Sequence, residues 1–355
     1  MKINKLALFA LLGVFIFNSC TDDNDDIVDQ IPQGDYADGF FVVNEGGFNG
    51  GAAISFISND LETVSQNIFA TVNPDAENLG TFAQSLFFDD TNAYIISNGS
   101  NLITVVDRYT FKYIDVIDSE LSHPRYGEVV NGKAYVTNQG DFSTGADDYV
   151  AVIDLETLKV ENTLIIGNKI DKLEEEDGLI YIQGSAFNDG NSINVLDPNT
   201  NTITTTFTTE GSLNSFDIED GFIYALTRKD VESTDPLEKV AYLEKIDLVT
   251  GNKSTQIVFS QATSVAKNLT IEDDTIYYMI GTSVYKIGLS TSEEPSQALL
   301  TFSGNSAYGF DVEDDRIFIA QGTFDSDSFV EIYSLDGSLL KNITVGIGPN
   351  GFYFN

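Results

Sequence analysis

A seven-bladed β-propeller is the fold this sequence predicts, an all-β ring of four-stranded blades, and three observations predict it. The first is an internal repeat roughly 40–55 residues long, the period of a propeller blade. The second is that strand-like runs are short, β-branched or aromatic, and closed by turn residues. The third is a pair of chain ends that complete one another.

Each repeat reads as an apolar strand, an acidic or Gly turn, a strand with an aromatic, a polar Gly-containing loop, a strand ending near Asp, and a last strand. Glu128-Val129-Val130-Asn131-Gly132-Lys133-Ala134-Tyr135-Val136 lines up with Ile218-Glu219-Asp220-Gly221-Phe222-Ile223-Tyr224-Ala225 and with Val312-Glu313-Asp314-Asp315-Arg316-Ile317-Phe318-Ile319. The aromatic anchors Phe41, Tyr94, Tyr135, Tyr181, Tyr224, Tyr277 and Phe318 mark seven units. Third strands such as Val150-Ala151-Val152-Ile153-Asp154 and Ser192-Ile193-Asn194-Val195-Leu196-Asp197 are β-rich and stop at an aspartate. Asn131-Gly132, Asp177-Gly178 and Asp220-Gly221 suit tight hairpins, because these residues tolerate positive φ. No sustained helical period occurs after the first twenty residues.

The ends argue for a closed ring. Gly348-Pro349-Asn350-Gly351-Phe352-Tyr353-Phe354-Asn355 looks like the innermost strand of a blade, whereas the first unit, at Phe40-Phe41-Val42-Val43-Asn44, starts without one. Pairing the two leaves neither edge free. An open stack would need a polar cap, and Phe352, Tyr353 and Phe354 are apolar.

The first residues read as an address. Lys2 and Lys5 precede an apolar stretch from Leu6 to Phe17, then Ser19 and Cys20, the single cysteine. The apolar run is too short for a permanent membrane span and has the layout of a secretory signal peptide. Cys20 has no disulfide partner and is placed to carry lipid, although an ordinary signal peptide with an incidental cysteine is the alternative. The expected organisation is a signal peptide over 1–19, an acidic flexible linker over 20–38 with lipidated Cys20, and the propeller over 39–355.

Composition narrows the partners. With 55 acidic and 18 basic residues, a net charge of -37 repels nucleic acid and anionic lipid, so phosphate-binding roles are disfavoured. Solubility alone is the other explanation of this charge. Hydrophobic residues at 42% suffice for a large core.

Together, Cys20 with its acidic follow-on Thr21-Asp22-Asp23-Asn24-Asp25-Asp26, the opening Phe41-Val42-Val43-Asn44-Glu45-Gly46-Gly47-Phe48 and repeats such as Tyr149-Val150-Ala151-Val152-Ile153-Asp154-Leu155-Glu156-Thr157 resemble the YncE-like surface lipoprotein propellers of Bacteroidota. The Asp-rich run is similar to the export signal that sends such lipoproteins to the outer leaflet. One branch of that group, BtuG, captures cobalamin for a TonB-dependent outer-membrane receptor. The resemblance therefore implies a lipid-anchored, outer-membrane, surface-exposed protein that takes a small molecule, with a corrinoid leading, and passes it to such a receptor. Its motifs report blade architecture more than ligand, since one fold hosts many functions.

The second-to-third strand loops carry a recurring amide or carboxylate, glycine and phenylalanine. These are Asn44-Glu45-Gly46-Gly47-Phe48, Asn138-Gln139-Gly140-Asp141-Phe142, Gln183-Gly184-Ser185-Ala186-Phe187 and Gln321-Gly322-Thr323-Phe324. Phe48, Phe142, Phe187 and Phe324 are expected to offer apolar contact, and Asn44, Glu45, Asn138, Gln139, Gln183 and Gln321 hydrogen bonds. Aromatics tucked beneath their own loops are the alternative. Segments entering the innermost strands add Arg125-Tyr126, Asp171-Lys172, Asn214, Lys267-Asn268, Tyr308 and Asn350 around the channel mouth. On the opposite face the first hairpins are acidic, as in Glu174-Glu175-Glu176-Asp177 and Glu272-Asp273-Asp274; solvated turns, a partner surface or weak Ca²⁺ binding would each account for them.

Catalytic signatures are scarce. The single histidine, His123, precedes Pro124 and rules out a His-rich metal site; there is no tryptophan platform and no phosphate loop, and no cofactor is implied. A lactonase-like Ca²⁺ hydrolase, with Glu45, Asp171, Asn214, Asn268 and Asn350 as hard donors, is the enzymatic alternative, opposed by neighbouring Lys172 and Lys267. An adhesive or protein-interaction scaffold is the third reading.

Overall fold

Alternating apolar residues on short strands must bury one face each, and here neighbouring sheets do this for one another. The computed structural model describes residues 34–355 except 49, 142, 188, 231–238, 260–265, 305–306 and 327; the lipidation site Cys20, the signal peptide and Phe142 lie outside the described residues. Seven antiparallel four-stranded sheets form a ring, as the repeat predicts. The inner strands are Pro349–Phe354 in blade 1, then Ala83–Phe88, Pro124–Val130, Leu173–Glu176, Ser212–Glu219, Ala266–Glu272 and Ala307–Glu313 in blades 2 to 7. Successive inner strands pack side by side around the axis, except that the inner strand of blade 5 packs chiefly on the second and third strands of blade 4.

All seven aromatic anchors are buried. The core is divided into seven clusters, each drawn from two consecutive blades: Tyr135, Val150 and Val152 of blade 3 with Ile180, Ile182 and Leu196 of blade 4, for example. Ring closure follows the same rule. Pro349–Phe354 pairs with Gly39–Asn44, Phe40 opposite Phe354 and Val42 opposite Phe352. Phe318 of blade 7 then meets Phe40, Phe352 and Phe354 at centroid distances of 5.1, 5.4 and 5.1 Å. Arg108 and the carbonyl of Tyr36 both bond the Asn355 side chain.

Two details depart from expectation. Residues 34–38, assigned to the linker, already belong to the fold: Tyr36 is buried edge-on against Phe56 and Phe111, at 5.2 and 5.9 Å. Blade 1 also has only Val64–Ser65 as its outer strand, followed by a short helix, Ile68–Val72, that inserts Ile68 and Phe69 into the core. Asn73 ends it by donating to the carbonyls of Phe69 and Phe111 at 3.0 and 2.9 Å and accepting from the Tyr113 amide, so the helix is tied to blade 2.

The first hairpins turn through consecutive left-handed residues at Asn131-Gly132, Asp177-Gly178 and Asp220-Gly221, and also at Asp273-Asp274 and Asp314-Asp315. Asp tolerates this region better than most L-residues, so part of the acidity of this face is turn chemistry.

Removing residues 349–355 is expected to abolish cooperative unfolding, because blade 1 loses its inner strand and the cluster with blade 7 loses its cover. The milder Phe352→Ala should lower stability by about 3–5 kcal/mol in a denaturant titration, with the midpoint rather than the slope carrying the change.

Candidate functional site at the channel mouth

Irregular pairing at the start of the inner strands builds the mouth. Register shifts between Ala83 and Ser85, Pro124 and Gly127, Leu213 and Ser215, Lys267 and Thr270, and Ala307 and Gly309 leave Gln84, Arg125-Tyr126, Asn214, Asn268 and Tyr308 outside the ladders. Asn350 takes the corresponding place in blade 1. A bulge re-aims the extra residue, and here several blades do so at the same level. The result is a cavity of about 370 Å³ lined by Tyr126, Lys172, Phe187, Asn214, Asn268 and Tyr308 among others, with Asp311 and Tyr353 deeper in the channel.

Arg125 is the fixed charge of this mouth. Its Nε donates to Asp171 Oδ1 at 2.8 Å, another nitrogen donates to Gln84, and its side chain is only 13% exposed. The guanidinium lies 5.7 Å from the Tyr126 ring centroid and 5.8 Å from that of Phe187. Burial alone would lower the pKa of Arg125, but Asp171 together with Tyr126 and Glu45 outweighs it and the net shift is upward. Lys172 sits over the other aromatic contact, 5.7 Å from the Tyr126 centroid. Glu45 accepts from the Tyr308 hydroxyl, and its pKa is raised because burial outweighs that bond and the pull of Arg125.

Aromatic side chains stand around the opening. Phe48 is 81% exposed, Phe187 72%, Tyr308 44% and Phe324 36%. Phe324 joins Phe48 at 5.8 Å and Tyr308 at 5.4 Å, and Phe48 reaches Phe82 at 6.4 Å. The chain can hold these rings together because Gly47 lets the Phe324 carbonyl approach to 2.6 Å of where a Cβ would stand. Exposed apolar groups clustered beside a polar cavity mark a binding surface more readily than scattered ones do.

The structure divides the predicted site residues. Glu45, Phe48, Arg125, Tyr126, Phe187 and Phe324 stand at the mouth or its rim. Most of the amides do not: Asn44, Asn138, Gln139 and Gln321 are buried away from the cavity, whereas Gln183, also buried, lines it. Asn44 donates to Val42 O, Ala53 O and Ser55 Oγ, Asn138 to Val136 O, Gln139 to Ile170 O, Gln183 to Ser185 O and Gln321 to Glu331. They satisfy backbone carbonyls and a buried carboxylate where the second strands end, so their recurrence is blade grammar.

In the alternative Ca²⁺ set, three donors are already engaged: Asp171 by Arg125, Glu45 by Tyr308, and Asn214 Oδ1 by the Asn268 amide at 3.1 Å. Asn350 donates through its nitrogen to the carbonyls of Ala83 and Gln84, which leaves its oxygen unbonded. Among the described residues, the three carboxylates close enough to share a metal are Glu219, Asp220 and Asp274, in the first hairpins. His123 lies near Gln139 O, 3.0 Å from its Nδ1, and its amide donates to Asn101, a structural role.

Below the cavity lies a feature that motif reading misses. Opposite each aromatic anchor, on the neighbouring inner strand, stand Tyr353, Phe87, Glu128, Glu174, Asp217, Thr270 and Asp311. From blade 2 onward each sits seven residues before its anchor, which is the signal that could have found them. Four of the seven positions are carboxyls. Burial raises Glu128 to about 7, with help from Glu175, and Asp311 to about 7 despite the Val312 amide and Lys172.

Fold and site together define a closed seven-bladed propeller whose channel mouth is a polar cavity with an aromatic rim. The family described as a domain of unknown function, DUF5074, matches residues 38–321, and the chain belongs to it. No curated protein matches it significantly. Solved structures that resemble it include a protein of unknown function from Desulfotomaculum acetoxidans, 13% identical with a TM-score of 0.62 over 89% of this chain and 98% of that one. Dihydro-heme d1 dehydrogenase NirN in complex with DHE is 13% identical, with a TM-score of 0.57 over 91% and 76%. BamB from Moraxella catarrhalis is 16% identical, with a TM-score of 0.53 over 91% and 88%. At such identities they share the fold alone.

Asp171→Asn should leave the guanidinium of Arg125 largely enclosed without its counter-charge. The expected loss is about 1–3 kcal/mol, reduced from the cost in a dry interior because both side chains keep some water contact. Chemical denaturation measures it, and Asp171→Asn together with Arg125→Met should recover part of the loss.

Proposed function

We propose that this chain is a ligand-binding propeller that captures a bulky small molecule across its channel mouth and releases it chemically unchanged. The observation that carries the reading is the set of exposed rings, Phe48, Phe187, Tyr308 and Phe324, around a polar cavity of about 370 Å³. Such a mouth suits a molecule with an apolar face for the rim and a polar projection for the cavity. A corrinoid is the leading candidate: it is larger than the cavity, so its ring would lie on the aromatics while one substituent entered below. Arg125 is held in place by Asp171 and Gln84, so it could orient a polar edge without first being ordered. Capture rather than catalysis is favoured because both carboxylates proposed for metal-assisted hydrolysis, Asp171 and Glu45, are engaged by Arg125 and Tyr308.

The resemblance carried by Cys20 and the acidic run extends this reading to a lipid-anchored lipoprotein on the outer membrane, handing its ligand to a TonB-dependent receptor. Both the anchor and the receptor are part of the proposal.

Calorimetry with cobalamin and cobinamide tests the ligand. Burying one aromatic contributes about 1.5–3 kcal/mol, so Phe187→Ala and Phe324→Ala should each weaken binding by about tenfold or more, with the unfolding midpoint little changed. Absence of binding heat with either corrinoid would remove that class. For the anchor, Cys20→Ser should move the protein from the membrane fraction to the soluble fraction with unaltered thermal unfolding; retention on membranes after a salt wash would count against it.

A further inference from the structure

The inner strands are the free edges of their sheets, and their backbone N–H groups need acceptors from the next blade. Between blades 4, 5 and 6 those acceptors are carboxyls at the channel waist. Glu174 Oε1 of blade 4 accepts the Ile218 amide of blade 5 at 3.2 Å, and Asp217 Oδ1 accepts the same N–H at 2.7 Å. Asp217 Oδ2 reaches on to blade 6 and accepts the Ile271 amide at 2.6 Å. Two carboxyl groups therefore converge on one donor. With both charged, so close and with little water between them, they would repel, and a proton held by one of them removes that repulsion.

We propose that Glu174 and Asp217 hold a proton between them, and that this proton locks blades 4, 5 and 6 together, so that its loss in mildly alkaline solution loosens that side of the ring. The surroundings favour retention of the proton. Glu128 stands beside the pair in blade 3 and Asp311 faces the channel from blade 7, while Thr270 is the neutral member in blade 6. Two residues further along the inner strands come Glu176, Glu219, Glu272 and Glu313, with Glu175 beside them. Tyr181 and Tyr224 lie opposite the pair on the second strands of their blades, and Tyr353 lines the channel from blade 1. The cations are nearer the mouth: Arg125 is paired with Asp171, Lys172 lies over Tyr126, and Lys267 donates to Ala307 O at 2.9 Å.

The direction of the effect follows from these contacts. Burial raises Asp217 to about 6 against the two backbone amides, and burial followed by repulsion from Asp217 raises Glu174 well above an ordinary glutamate. The folded chain thus holds protons more tightly than the unfolded chain, so stability is greatest in mild acid and declines as pH rises through about 6 and beyond.

Thermal unfolding at pH 5.5 and 8.5 and constant ionic strength tests the lock, using the full chain, Glu174→Gln, and Glu156→Gln as an exposed control with the same change in charge. The wild type and the control should both lose several degrees of Tm at pH 8.5. Glu174→Gln can still accept the Ile218 amide but does not titrate, so its drop should be clearly smaller than the control's, what remains coming from Glu128 and Asp311. A drop equal to the control's would overturn the proposal. If Glu174→Gln does not fold, infrared spectra of ¹³C-aspartate protein carrying Asp311→Asn decide, because Asp311 would otherwise hold a proton over the same range: a protonated carboxyl band persisting to about pH 6 is expected, and its disappearance in the ordinary carboxylate range would overturn the proposal.

Discussion

No blade of this protein has a core of its own, and that constraint organises everything else. A four-stranded sheet presents two apolar faces, and each is covered only by the sheet beside it. Burial therefore accumulates around the circle and is complete only when the last face finds the first. The joint of blades 7 and 1 must therefore bury its faces as the other six do, and Phe40, Phe318, Phe352 and Phe354 are gathered there. An aliphatic joint would bury less area per residue at the place where the chain must recruit a distant strand.

Polar chemistry sits where apolar packing cannot reach. The inner strands crowd round the axis, their outer neighbours fill the space between blades, and the axis is left to groups that can meet water or each other. Toward the mouth these are bulged side chains and a guanidinium held by a carboxylate; at the waist they are carboxyls serving as acceptors between blades. The same geometry thus supplies a recognition surface and a set of bonds between blades, stacked along one channel. A change at the waist would be felt at the cavity above through Asp311 and Tyr353, which belong to both.

The fold was legible because aromatic anchors, left-handed hairpins and unmatched ends are local signals of a global ring. The site was legible only in part. Phe48, Phe187 and Phe324 were found because phenylalanine in a Gly-rich loop has few reasons to be there, but the amides beside them share that loop for a different reason: they satisfy carbonyls at strand ends. Arg125, Asn214, Asn268 and Tyr308 were legible from their place before the inner strands, but bulges are hard to read because register belongs to a pair of strands, and Gln84 carries no mark that distinguishes it from an ordinary strand residue. The carboxyls at the waist were concealed in the acidic hairpin runs, where Glu174 is followed by Glu175, Glu176 and Asp177 and only spacing from Tyr181 separates the buried one from its solvated neighbours.

Blade 1 is assembled from segments about as far apart in sequence as the chain allows, and this has a consequence for biosynthesis. Residues 39–44 leave the ribosome long before residues 349–354, by on the order of tens of seconds at usual elongation rates. Throughout that interval the first strand has an open edge and an uncovered aromatic face, and no arrangement of the intervening six blades can relieve it. A polypeptide of this design gains from remaining unfolded until synthesis has passed its closing strand, a condition that favours closure after synthesis over folding blade by blade as it is made.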